Sequence, residues 1–205
     1  FVNNILFKFA VDIHGLYGNS DHFAAKAAGL EVLGISAYFN TNTPGLHLPL
    51  VTLVNFLGYR LVAVSLIPIR SGSGPDATLV YGSQDGGKTV KNSDPLFAEL
   101  AKHTSAKLGL REHQVQGRMQ AEPVVLHTAF DVEGHLGTDG RFYMLDLARA
   151  LPSDPLNYKR GQKGQNHARL VSRFRPEFMA EYFNHSRKTL TPDSPHEVII
   201  GKTDP

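Results

Sequence analysis

Apolar positions along the chain fall into short runs of two spacings, and their alternation sets out the elements. Residues 4–11 (NILFKFAV) mix β-branched and aromatic side chains and predict a strand, with Lys8 in its middle. A glycine loop follows at 14–18 (HGLYG), and Asn19 or Ser20 can cap a helix running to about Phe39. Phe23, Ala27, Leu30, Leu33 and Tyr38 recur there at roughly helical spacing. Gly29 and Gly34 either weaken that helix or mark close packing against a neighbour. Past a turn-rich link at 40–49, two apolar runs, LVTLVNF at 50–56 and YRLVAVSLIP at 59–68, are separated only by Leu57-Gly58. Two residues between two such runs is the spacing of an antiparallel hairpin.

The second half is more polar. Residues 71–76 (SGSGPD) read as a loop, 77–81 (ATLVY) as a short strand, and 82–94 as an ordered turn followed by irregular chain. A helix is predicted over 95–108, capped by Ser93 or Asp94, with Pro95 at its first position and Gly109 ending it. Residues 111–122 suit strand or loop, and Val124–Leu126 a short buried strand. The stretch 131–152 (DVEGHLGTDGRFYMLDLARALP) reads as a polar loop, a Thr138-Asp139-Gly140 turn, and an apolar run that ends in Asp146. An acid at the end of a buried strand is costly to keep charged without a partner, which marks Asp146 as functional or ion-paired. Residues 153–168 are poor in apolar side chains and read as an exposed, disordered loop. Helical spacing returns over 169–187, where Pro176 makes two short helices an equal fit, and 198–200 is strand-like within a turn-rich tail. Strands first and mostly helices after predict an α+β fold, an antiparallel sheet with helices.

Composition narrows the class. The chain has 205 residues, enough for one domain with a real core, and we read 1–205 as one domain with a sheet-rich lobe at 1–92 and a helix-rich lobe at 93–205. It opens at Phe1 without an initiator methionine, which reads as a segment of a longer protein. A formal net charge of +2 does not by itself argue for nucleic acid. No apolar run approaches the roughly 18 residues of a membrane span, so no membrane insertion is expected. The absence of cysteine excludes a disulfide scaffold and cysteine-ligated zinc, and is compatible with the cytosol.

Several segments in order carry a likeness: NILFKFAVD, HGLYG, AAKAAGLEVLG, the hairpin, TLVYGSQDGGKTV, DVEGHLGTDGRFYMLDLARALP and LVSRFRPEF. Together, over residues 4 to about 178, they resemble the Clu domain of the clustered-mitochondria family, itself described as resembling a large translation initiation factor subunit. The resemblance implies a cytoplasmic, non-catalytic binding or scaffold module with a role in mitochondrial distribution. It also implies association with mRNAs for mitochondrial proteins, as mRNA or ribonucleoprotein, and protein partners engaged through flanking domains. Full-length members resemble multi-domain scaffolds with a C-terminal helical repeat array, which this chain lacks. No catalytic residue and no cofactor follow from the resemblance.

Two constellations bear on chemistry. Residues 82–89 (GSQDGGKT) satisfy the spacing of a phosphate-binding loop, but no helix with an apolar face follows Lys88-Thr89, so a glycine-rich turn with an exposed Lys88 is expected. The second resembles the residue order of protein and lipid kinases: Lys8 in a strand, Glu31 in the next helix, Asp131 with His135, and Asp146 closing a strand. The alternative function is therefore a kinase-like, two-lobed nucleotide-binding phosphotransferase or pseudokinase that holds Mg-ATP with Lys8, Glu31, Asp131, His135 and Asp146. No glycine-rich loop precedes Lys8, and His135 is a poor ligand for a hard cation. The plainer reading has Asp131 capping a turn and Asp146 paired with Arg149 or Arg173. His127, Asp131 and His135 lie four apart, but Gly134 and Gly137 oppose the helix a metal site there would need, so no metal is assigned. No Gly-x-Ser-x-Gly elbow supports a triad hydrolase. For RNA, the basic run of Lys159, Arg160, Lys163 and Arg169, with Tyr158 as a stacking aromatic, is the candidate surface.

Overall fold

The computed structural model describes residues 2–154 and 167–193. Among these residues three sheets and three α-helices make the α+β fold that the pattern predicts. The first sheet joins β1 (Ile5–Phe9) and the hairpin of β3 (Val51–Phe56) and β4 (Tyr59–Ser65), in the antiparallel order β1-β4-β3. Leu57 and Gly58, at φ 48° and 82°, form the hairpin turn, with the two positive φ values that match the right-handed twist of the strands. Lys8 pairs with Val62 in the β1–β4 register, so both side chains share a face of the sheet.

That face looks toward α1 (Asp21–Asn40), whose N-cap is Ser20, its hydroxyl accepting from Phe23 N. Between β1 and α1 the loop is held by the Asp12 carboxylate, which accepts from Tyr17 N and Asn19 N, both at 2.8 Å. Gly34 on α1 resolves the ambiguity of its helix position. A Cβ there would drive into the Leu147 carbonyl, so the glycine lets the helix approach the chain after β10.

The second sheet has the order β2-β10-β9-β5-β6 and is antiparallel except for the parallel β2–β10 pair. It comprises β2 (Leu46–His47), β5 (Leu79–Gly82), β6 (Lys91–Asn92), β9 (Glu133–Leu136) and β10 (Phe142–Leu145). Strands from before and after residue 93 therefore interleave, and a division into lobes at 92/93 would cut through this sheet. α2 (Pro95–Lys107) is capped by Asp94, whose carboxylate accepts from Leu96 N and Phe97 N. Its Phe97 packs directly over Gly134 of β9, where any side chain would collide with the ring. The core gathers Tyr38, Tyr81, Phe97, Leu126, Met144 and Leu147, all buried, from both helices, the sheet and the turns beside it. β7 (His113–Val115) and β8 (Val124–Leu126) form a separate two-stranded ribbon. α3 (Pro176–Ser186) starts at Pro176 after a 3-10 turn at Ala168–Val171, the two-helix outcome that the proline allows. It closes a smaller cluster of Leu110, Leu151, Phe174, Met179 and Leu190. The strand-like run at 198–200 and most of the basic loop lie outside the described residues.

Candidate functional site: an acid-lined cleft

A cavity of about 420 Å³ opens between the inner face of the first sheet, α1 and the β9–β10 hairpin. Lys8, Val62 and Val64 reach it from the sheet, Glu31 from α1, and Ser83 and Gln84 from the turn after β5. Asp131, Glu133, Asp146 and Arg149 line the remaining side. A larger hollow of about 840 Å³ lies between the end of α1 and β2–β3, but Tyr38, Phe39, Leu46 and Leu50 make it mainly apolar, with no acid or lysine on its wall among the described residues.

Chain direction explains how the charged groups meet. Asp146 ends β10 in the left-handed region, φ 58° and ψ 53°, a conformation aspartate tolerates better than most residues. The reversal turns Leu147–Arg149 back across α1 as a single 3-10 turn. Leu147 N then donates to Glu31 Oε1 at 3.1 Å. Lys8 Nζ stands 3.8 Å from Asp146 Oδ1, with both side chains about half exposed, so the pair itself contributes at most about 1 kcal/mol.

Three acids are pushed toward their neutral forms. Burial raises Glu31 from 4.5 to about 7, reinforced by the Asp146 charge and opposed by the bond from Leu147 N and by Lys8. Burial also raises Asp146, against the pull of Lys8 and with the Glu133 carboxyl, which hydrogen-bonds to it, adding to the rise. The Asp146 carboxyl has protein on most sides, yet 44% of its side-chain surface remains open to the cleft. Asp131 is likewise raised by burial, although Arg149 and Arg173 lower it. Its Oδ2 accepts from Arg149 Nε in a short charge-assisted bond, while Oδ1 is buried with no hydrogen-bond partner among the described residues. Arg149 is depressed by burial but raised on balance by Asp131 and Tyr17. Because the guanidinium stays charged over the whole accessible range, the pair is ionic, and burial acts on the carboxylate side.

Of the residues singled out in the sequence, Lys8, Glu31, Asp131 and Asp146 converge on this cleft. His135 does not line it. That residue is fully buried on β9, with Nδ1 2.9 Å from Thr78 Oγ1 and Nε2 3.1 Å from Glu133 Oε2. Its role is to orient Glu133, which faces the cleft and which the sequence reading passed over. Glu133 and His135 alternate along one strand, so the signal lay in the i, i+2 spacing once EGHL is known to be a strand. The plainer pairing is also corrected: Arg149 engages Asp131, and Asp146 faces Lys8. Arg173 instead bonds Leu151 O and Ser153 Oγ, both at 3.2 Å.

The phosphate-loop spacing at 82–89 folds as a closed turn. Asp85 fills its concavity, accepting from Lys88 N, Thr89 N, Thr89 Oγ1 and Ser83 Oγ, which holds the carboxyl down at about 2. Amides that would cradle a phosphate are thus already turned toward an internal anion. Among the described residues no group of three or more histidine, aspartate or glutamate side chains is placed to hold a metal ion, and no helix is long and apolar enough to cross a membrane. Lys159, Arg160 and Lys163 lie outside the described residues, and Arg169 is exposed.

Comparison with known proteins places the chain. Residues 1–157 match the sequence model of the CLU family, described as clustered mitochondria. The chain is 34% identical over 154 residues to protein clueless of Drosophila willistoni, which covers 74% of the chain and 10% of that protein. It is 34% identical over 158 residues to the clustered mitochondria protein homolog of Caenorhabditis elegans, covering 74% of the chain and 12% of that protein. It is 35% identical over 158 residues to the human clustered mitochondria protein homolog, covering 76% of the chain and 12% of that protein. The chain therefore spans about a tenth of the length of these relatives. No solved structure matches it, so the likeness to kinases rests on the order of a few residues alone. The match over 1–157 and the identity to these relatives show that the chain belongs to the clustered mitochondria family.

Proposed function

We propose that the chain is a non-catalytic binding module, one cytoplasmic part of a larger scaffold that distributes mitochondria and associates with mRNAs for mitochondrial proteins. The observation that carries this reading is the family match over residues 1–157, with relatives whose names refer to clustered mitochondria. The state of Asp131 supports binding over turnover. In a transfer reaction it would accept a proton from the attacking hydroxyl, but here it is committed to Arg149. RNA would meet the module at Lys159, Arg160, Lys163 and Arg169, through phosphate contacts that carry no sequence preference.

Two measurements test the reading. In cells lacking their own family protein, the full-length protein should restore an even mitochondrial distribution, and the same protein without residues 1–157 should not. Normal distribution in the deletion would overturn the module's part in that role. RNA retention by the chain should fall steeply between 50 and 200 mM salt and weaken when Lys159, Arg160 and Lys163 are neutralised. Retention indifferent to both would remove the basic segment from the account.

A further inference from the structure

The cleft has features that the scaffold reading does not use. Its wall carries two cationic side chains, Lys8 and Arg149, against four acids, Glu31, Asp131, Glu133 and Asp146. Arg149 is spent on Asp131, and Glu31 turns one oxygen toward Leu147 N. What remains is Glu133 and Asp146 on the same wall of the cleft, and Lys8 at 3.8 Å from Asp146. Separately, Asp131 is nine-tenths buried on the same wall and keeps Oδ1 without a hydrogen-bond partner among the described residues. A buried carboxylate oxygen left unpaired in this way points to a donor or cation that arrives with a ligand.

The charges choose the ligand class by elimination. A bare polyanion would enter a cleft where acids outnumber cations, and would be repelled. A bare divalent cation would find only the Glu133–Asp146 pair, since no third metal-ligating side chain joins them among the described residues. The two together satisfy each other. A hard cation takes one or two carboxylates and completes its shell with phosphate oxygens, which also neutralises the phosphates against the remaining acids. Lys8 is then placed to take a phosphate oxygen as a point charge. The cleft also has an apolar side. Val62 shares the sheet face with Lys8, Val64 lies two residues along β4, and Leu145 and Ala148 stand on the hairpin side. A flat ring fits such a wall, and about 420 Å³ lies within the usual range of small-molecule sites.

We propose that this cleft binds a nucleoside triphosphate together with a divalent cation, with Glu133 and Asp146 holding the cation, Lys8 the phosphates, and the Val62–Val64 side the base. His135 acts as a positioning residue, fixing Glu133 through Nε2 while Thr78 holds its other nitrogen. The turn at 82–89 takes no part, because Asp85 already occupies its amides.

Isothermal titration of the 205-residue chain with ATP in excess MgCl₂ tests this. The expected result is saturable one-to-one binding that weakens at least tenfold when EDTA removes the cation. Asp146→Asn and Lys8→Met should each weaken it at least tenfold, and Lys88→Ala should leave it unchanged. Lys8 is half exposed, so Lys8→Met stays informative even if Asp146→Asn disturbs folding. No heat at millimolar Mg-ATP would overturn the proposal, as would undiminished binding by Lys8→Met or binding that ignores EDTA. Magnesium tripolyphosphate should bind at least tenfold more weakly than Mg-ATP, and equal binding would overturn the assignment to a nucleoside.

Discussion

Glu31 offers the sharpest test of the cleft's electrostatics. Its carboxyl is raised from 4.5 to about 7, chiefly because the fold buries it beside Asp146. A pKa difference of about 2.5 is worth about 3.4 kcal/mol, at about 1.36 kcal/mol for each whole step. The sign is destabilising as pH rises: the unfolded chain loses this proton near 4.5, while the folded chain keeps it until about 7. At pH 5 the unfolded glutamate is already partly ionised, so about 2.5 kcal/mol of the penalty accrues between pH 5 and pH 8. Glu31→Gln removes the titration and keeps an oxygen for Leu147 N. Relative to the parent chain it should therefore gain about 2.5 kcal/mol between the two pH values, whatever constant cost the amide adds at both. In a domain of this size that corresponds to a rise of roughly 5–10 °C in relative melting temperature. Urea denaturation of both proteins at pH 5 and pH 8 measures it directly. A difference between parent and variant that is the same at both pH values would refute the buried-acid reasoning.

Further outcomes follow from the same contacts. Gly34→Ala should cost about 1–3 kcal/mol in urea denaturation, because its Cβ must displace the Leu147 carbonyl and with it the bond from Leu147 N to Glu31. Asp131→Ala should destabilise by about 3 kcal/mol or more by leaving Arg149 buried without a counter-charge. Arg149→Met should cost less, because Asp131, already raised by burial, can protonate, and paired urea melts at pH 7 give the ranking. Asp85→Ala should lower the urea midpoint at pH 7 by loosening the 82–89 turn. Its carboxyl is held down at about 2, so that contribution is present above the ordinary aspartate range and fades as pH falls through about 2. Parent and variant melts should converge there.

The elements built on caps and periodicity were legible in the sequence. Ser20 and Asp94 cap α1 and α2 as expected, and Leu57-Gly58 turns the hairpin. β9 was not legible, because alternation fails when both faces of a strand are covered. Gly134 lies under Phe97, His135 is buried by its bonds to Thr78 and Glu133, and EGHL reads as a polar loop. β2 is two residues long and pairs in parallel with β10 at a distance in sequence that no local pattern encodes. Lys8, Glu31 and Asp146 were legible by their order along the chain, while the pairings of Lys8 with Asp146 and of Arg149 with Asp131 were not. The left-handed turn at Asp146 sends Arg149 back toward Asp131, and side-chain spacing alone cannot foresee that reversal.

Mitochondrial distribution, in cells whose own family protein is replaced by the full-length protein carrying Lys8→Met or Asp146→Asn, tests most directly whether this cleft serves the family's role. A working cleft predicts clustered mitochondria in both variants at unchanged protein abundance, with Lys88→Ala behaving as the parent. Even distribution in Lys8→Met and Asp146→Asn alike would contradict it.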